Sequence, residues 1–110
     1  MNEKKFSLLV ADTDAERTQG LSGRDDLSKN MAMLFVFPEP SEQCMWMKDM
    51  KFSLDMVWLD SSKKIVKIAE AVAPETYPKA FCADNTKYVL EFNSGVAQEN
   101  NLKIGQNLNF

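Results

Sequence analysis

MAMLFVF, Met31 to Phe37, is seven apolar residues in succession, closed by Pro38 and Pro40. A short, continuous apolar run cut off by prolines reads as a strand buried on both faces. Further stretches of strand character surround it. KFSLLVA (Lys5 to Ala11) precedes it, and QCMWMK, SLDMVWLD, KIVKIAEA, YVLEFN (Tyr88 to Asn93) and NLNF follow it. SLDMVWLD and KIVKIAEA are joined by the turn Asp60-Ser61-Ser62-Lys63 and form a β-hairpin candidate.

Two short helices fit between the strands. Thr13-Asp-Ala-Glu16 has the form of a capping box, and the helix it opens ends near Gly20 to Gly23. Ser94 is placed to cap a second helix running to about Asn101. Ala73 to Thr86, with two prolines, reads as a long loop. The expectation is an α+β fold of about seven mainly antiparallel strands, barrel-like or sandwich-like, with two short peripheral helices. At 110 residues, 1–110 forms a single domain.

Composition removes several chemistries. The chain has no histidine, which excludes Ser-His and Cys-His nucleophile pairs, imidazole bases and the commonest zinc and copper ligands. Two cysteines cannot close a thiolate zinc site within one chain. Thirteen basic residues against sixteen acidic ones, with no run longer than Lys4-Lys5 or Lys63-Lys64, argue against a nucleic-acid partner. No apolar run approaches the ~20 residues of a membrane span. The opening Met-Asn-Glu-Lys-Lys reads like the clipped edge of an exported protein whose leader has been removed.

The order of the motifs carries a resemblance. ADTDAERTQGLSGRDDL, AMLFVF, MWMKDMKFSLDMVWLD and YVLEF before a glycine-containing helix together resemble the uncharacterised family known as domain of unknown function 192, from about Leu9 to Leu108. Trp46-Met47-Lys48 with Leu54-Asp55 is the most specific part, and Arg17, Gly20-Leu21 and Arg24 form a second anchor. Where the family pattern has glycine, asparagine-threonine, proline and aspartate, this chain has Ala32, Asp49-Met50, Ser53 and Gln106. The resemblance implies a compact, mainly β domain, often exported behind a leader, and carries no established activity.

The stretch CMWMKDM, Cys44 to Met50, concentrates the candidate chemistry. As a strand it would place Cys44, Trp46 and Lys48 on one face and Met45 and Met47 on the other. SLDMVWLD would leave Asp55 partly buried, where an ionised carboxylate needs a partner. Arg17, Arg24 and Lys48 are the cations available for a salt bridge or for a polar cleft that also meets a ligand. Cys44 and Cys82 read as a disulfide stapling the long loop to the sheet, the alternative being two separate thiols in a reducing compartment.

Four functional readings follow. An extracytoplasmic, monomeric ligand-binding or accessory module would use Trp46 or Trp58 against a sugar, cell-wall fragment or peptide, with Lys48, Asp49, Asp55, Arg17 and Arg24 supplying polar contacts. A carboxylate-based hydrolase would draw on Asp49, Asp55, Asp60 and Glu91. A protein-interaction scaffold would use an apolar patch or an open sheet edge. A Cu(I) site would recruit Cys44, Met31, Met33, Met45, Met47 and Met50 beneath Trp46, although methionine is also the adaptable filler of irregular cores. The first reading, with no cofactor, explains most.

Overall fold

The computed structural model describes residues 6–110. Lys5, where the first strand was expected to begin, lies outside them, as does the rest of the opening Met-Asn-Glu-Lys-Lys. Five strands form one sheet: β1 (Ser7–Ala11), β2 (Met31–Met45), β3 (Leu54–Leu59), β4 (Ile65–Val72) and β5 (Phe81–Asn93). Two helices accompany them, α1 (Asp14–Gln19) and α2 (Val96–Glu99). The strand order is β1-β2-β5-β3-β4, so the sheet is open and not a barrel. It is also mixed, because β1 pairs with β2 in parallel while the other pairs are antiparallel. The reason is the intervening helix: a parallel pair needs a crossover of a dozen or more residues, and α1 with its flanking loops supplies one.

The count falls from seven strands to five because one expected break is absent and one expected strand does not form. β2 runs through Pro38 and Pro40 to Met45, joining AMLFVF to QCM. Prolines are tolerated in a strand where ladder bonds are interrupted, and here the register jumps from Val36↔Tyr88 to Ser41↔Thr86. The Lys87 ammonium donates to the Pro38 carbonyl at 3.0 Å and closes this bulge. The loop expected from Ala73 to Thr86 is shorter than that: after a 3-10 turn at Pro74–Thr76, β5 is already under way at Phe81. NLNF forms no strand, with an isolated bridge, Lys64↔Asn107, joining its first residue to the residue that precedes β4.

Local signals account for much of the rest. Thr13 and Glu16 make the reciprocal capping box that opens α1. β3 and β4 form the expected hairpin, and Asp60 holds its turn by accepting the amides of Ser62 and Lys64 at 2.9 and 3.0 Å. α2 departs from expectation. Its N-cap is Gly95, at φ 95°, and not Ser94.

Both faces of the sheet are covered. Leu34, Val57, Leu59, Leu90 and Phe92 pack on one face with Val96, Ala97, Leu102 and Leu108. Phe35, Met56, Trp58 and Val89 pack on the other with Leu21, Leu27 and Met47. β3, enclosed between β5 and β4, is buried at all six positions. Among the described residues no helix is long and apolar enough to cross a membrane.

Candidate functional site

On the face that carries α1, a cleft of about 290 Å³ opens between the helix, β2 and the loop after β2. Arg17 to Ser22 form one side, Phe35, Phe37, Cys44 and Met45 of β2 another, and Trp46 and Met50 complete the wall. Glu91 lines it from β5. Glycine at position 20 lets α1 end against this wall. It adopts φ 49°, and a Cβ there would meet the Phe35 ring at 3.2 Å.

Glu91 is placed by strand parity. It stands between Met33 of β2 and Met56 of β3 in the register and shares its face with Val89, two residues before it in the strand. It is 4% exposed and makes no hydrogen bond or ion pair with any described residue in the structure. Burial alone pushes its carboxyl up to about 8, so the neutral acid dominates at pH 7.

Trp46 lies at the opposite extreme. The strand ends at Met45, so the alternation expected through Lys48 does not continue, and Trp46 emerges into solvent at 49% exposure. The Tyr77 ring meets it edge to face at 5.1 Å, and the Lys48 ammonium sits 5.8 Å from its ring centre. CMWMKDM is therefore not a core strand. Only Met47 within it is fully buried, and residues 46–50 form a turn closed by Met50 N–H donating to Met47 O at 3.1 Å. Ser22 Oγ donates to Lys48 O at 3.1 Å and Gly23 N–H to Asp49 O at 3.0 Å, stitching this turn to the loop after α1.

The other expected residues disperse. Arg17 lines the cleft but is already engaged: its guanidinium donates to Val36 O and to Asp14 Oδ1, both at 2.7 Å, and lies 5.6 Å from the Phe37 ring centre. Asp49 and Arg24 are exposed and do not line the cleft. Asp49 adopts φ 59°, a conformation that aspartate and asparagine both tolerate, so either suits the turn. Trp58 is fully buried, its indole N–H donating to Gln43 O at 3.0 Å, and is core.

Asp55 corrects the salt-bridge expectation. It is completely buried, its register partner is Phe92, and no cation among the described residues meets it. Three backbone amides do: Ala71 on Oδ1 at 2.8 Å, and Gly95 and Ala97 on Oδ2 at 3.0 and 2.9 Å. Its charge is held by the bulge of β4 and the start of α2, on the sheet face away from the cleft.

Cys44 and Cys82 face each other across β2 and β5 and form a disulfide, with Cα atoms 4.0 Å apart. That bond, with Met47 sealed in the core, removes two of the soft donors a Cu(I) site would have used. Tyr77 and Phe37 are the contributors that sequence reasoning passed over. The aromatic of Tyr-Pro in the proline-bearing segment was the available signal for Tyr77, and the apolar run from Met31 for Phe37.

A crystal structure of a protein of unknown function from Novosphingobium aromaticivorans has a similar fold, with a TM-score of 0.90 at 27% identity over 96% of this chain and 75% of that one. A Sinorhizobium meliloti protein described as a candidate transcription regulator is similar at a TM-score of 0.86 and 30% identity, over 91% of this chain and 78% of that one. No curated protein matches. The sequence profile of the family DUF192, described as "Uncharacterized ACR, COG1430", matches residues 1–110, and the chain belongs to that family.

Proposed function

We propose that this domain is a saccharide-binding module that takes a sugar or cell-wall fragment in the cleft between α1 and β2. The observation that carries the reading is Trp46, a half-exposed indole on the wall of a cleft, with the Tyr77 ring and the Lys48 ammonium beside it. Sugar rings present a C–H face that an exposed aromatic can cover and a hydroxyl rim that polar neighbours can meet, and sites of this kind combine apolar walls with a few placed polar groups.

Binding is favoured over hydrolysis by the carboxylates. A glycosidase needs two of them flanking one bond. Here Glu91 is the single carboxylate among the described residues lining the cleft, while Asp55 lies on the other face and Asp60 in the hairpin turn. The Cys44–Cys82 disulfide favours an oxidising, extracytoplasmic setting.

An amide and indole NMR titration against soluble chitin, cellulose and peptidoglycan oligosaccharides tests the proposal. Shifts are expected at the Trp46 indole and at the amides of Gly20 to Ser22 and Met45 to Lys48, with the Trp58 indole unmoved. Unchanged spectra at millimolar glycan would overturn it.

A further inference from the structure

Glu91 poses the sharpest question in the molecule. A carboxyl in the middle of a central strand, walled by aromatic and methionine side chains, is costly to desolvate; no described residue offers it a partner, and its oxygens keep their exposure only toward the cleft. The groups around it are specific about what could. From β2 it meets Met33 and shares the cleft with Phe35 and Phe37; from β3 it meets Met56; Met50 reaches the same cleft from the turn. The charged groups on the surrounding elements are few. Arg17 of α1 is held by Val36 O and Asp14, Lys48 lies over Trp46, Asp49 points to solvent, and Asp55 of β3 belongs to the opposite face.

A neutral carboxylic acid in such a place has one strong offer to make, an O–H donor, beside apolar surface that fits a methyl group. The fragment of a saccharide that matches is the acetamido group, which joins a carbonyl acceptor to a methyl and carries no charge. Resting on the saccharide reading above, we infer that the cleft selects N-acetylated amino sugars, with the Glu91 hydroxyl donating to the acetamido carbonyl, Phe35, Phe37 and Met50 enclosing its methyl, and Trp46 covering the sugar ring. A free amino sugar would bring an ammonium into this apolar wall and lose the acceptor. A plain glucan would leave the Glu91 hydroxyl without its carbonyl.

Protonation gives the reading a second signature. Burial pushes Glu91 up to about 8, so a ligand that needs the acid form binds more weakly as pH rises through that value, and its binding raises the value further.

The test is calorimetric titration of the intact protein with chitotriose, its fully de-N-acetylated counterpart and cellotriose, below and above about pH 8, together with carbon-detected NMR of the Glu91 carboxyl. Chitotriose is expected to bind at least about tenfold more tightly than either comparison sugar, a difference of about 1.4 kcal/mol. Its affinity should fall above about pH 8, and Glu91→Gln, which keeps a donor but does not titrate, should remove that fall. Equal binding of cellotriose with a Trp46 shift would overturn the acetamido assignment and leave the saccharide reading standing. Tighter binding of the de-N-acetylated sugar would instead make Glu91 the partner of a cation. Binding of none of the three, with other cell-wall glycans also silent, would remove both readings. Should Glu91→Gln fail to fold, the pH dependence and the carboxyl titration of the unmodified protein decide the matter.

Discussion

Oδ2 of Asp55, sealed within β3, accepts the amide of Ala97 at 2.9 Å and so caps a helix that begins some forty residues later in the chain. The same oxygen takes the Gly95 amide, and Oδ1 takes that of Ala71, which sits at φ 52° next to the end of β4. One carboxylate thus joins the end of β4, β3 and the turn from β5 into α2. Hydrogen bonds to a charged acceptor contribute more than neutral ones, and three buried donors lose their partner together if it is removed. Asp55→Ala is expected to cost about 3 to 5 kcal/mol in denaturant unfolding, and Asp55→Asn about 2 kcal/mol or more, because its amide NH₂ would confront amides that also donate. A loss below about 1 kcal/mol for Asp55→Ala would show that the cap contributes little.

The disulfide gives a second prediction. Cys44 and Cys82 are 38 residues apart, and in the chain-entropy account closing a loop of that length stabilises by roughly 4 kcal/mol. The Cys44→Ser, Cys82→Ser double variant should therefore lose about 2 to 4 kcal/mol, and thiol titration of the denatured, unreduced protein should find no thiol. Two titrating thiols would refute the bond.

Glu91 makes stability depend on pH in a defined direction. Its folded value lies near 8 and its ordinary value near 4.5, so the folded protein binds the proton more tightly than the unfolded chain. The contribution is fully present below about pH 4.5, declines as pH rises from there to about 8, and is lost above it. Glu91→Gln should flatten this segment of the profile and stabilise the protein at pH 8 by an amount on the order of a few kcal/mol. Urea midpoints across the interval, for both proteins, measure it; parallel profiles would show that Glu91 does not titrate there.

The two tryptophans should separate cleanly in fluorescence. Trp46→Phe leaves only Trp58, which is fully buried and bonded to Gln43 O, so emission should be blue-shifted and resist acrylamide. Trp58→Phe leaves only the half-exposed Trp46, with red-shifted, readily quenched emission. Trp46→Phe should change stability by less than about 1 kcal/mol, while Trp58→Phe, which loses core volume and an indole hydrogen bond, should cost about 1 to 3 kcal/mol. Equal quenching of both variants would contradict the placement of these rings.

Features held within a few neighbouring residues were legible in the chain. The Thr13–Glu16 box, the turn at Asp60 to Lys63, the buried run from Met31 and the β3–β4 hairpin follow from capping, turn chemistry and periodicity, all of which act over a handful of positions. The parity of YVLEFN even aligns Glu91 with Val89. What the chain alone did not reveal depends on distant pairing. Continuation of β2 past two prolines rests on a bulge opposite Lys87, and the parallel β1–β2 pair on where α1 packs. Asp55 was expected beside a cation because a buried charge needs compensation; which groups compensate it was decided when β4 and α2 brought three amides to one point. Glu91 likewise becomes a cleft carboxyl only because Met33 and Met56 flank it and no cation among the described residues reaches it, and that is a property of assembled neighbours and not of any one segment.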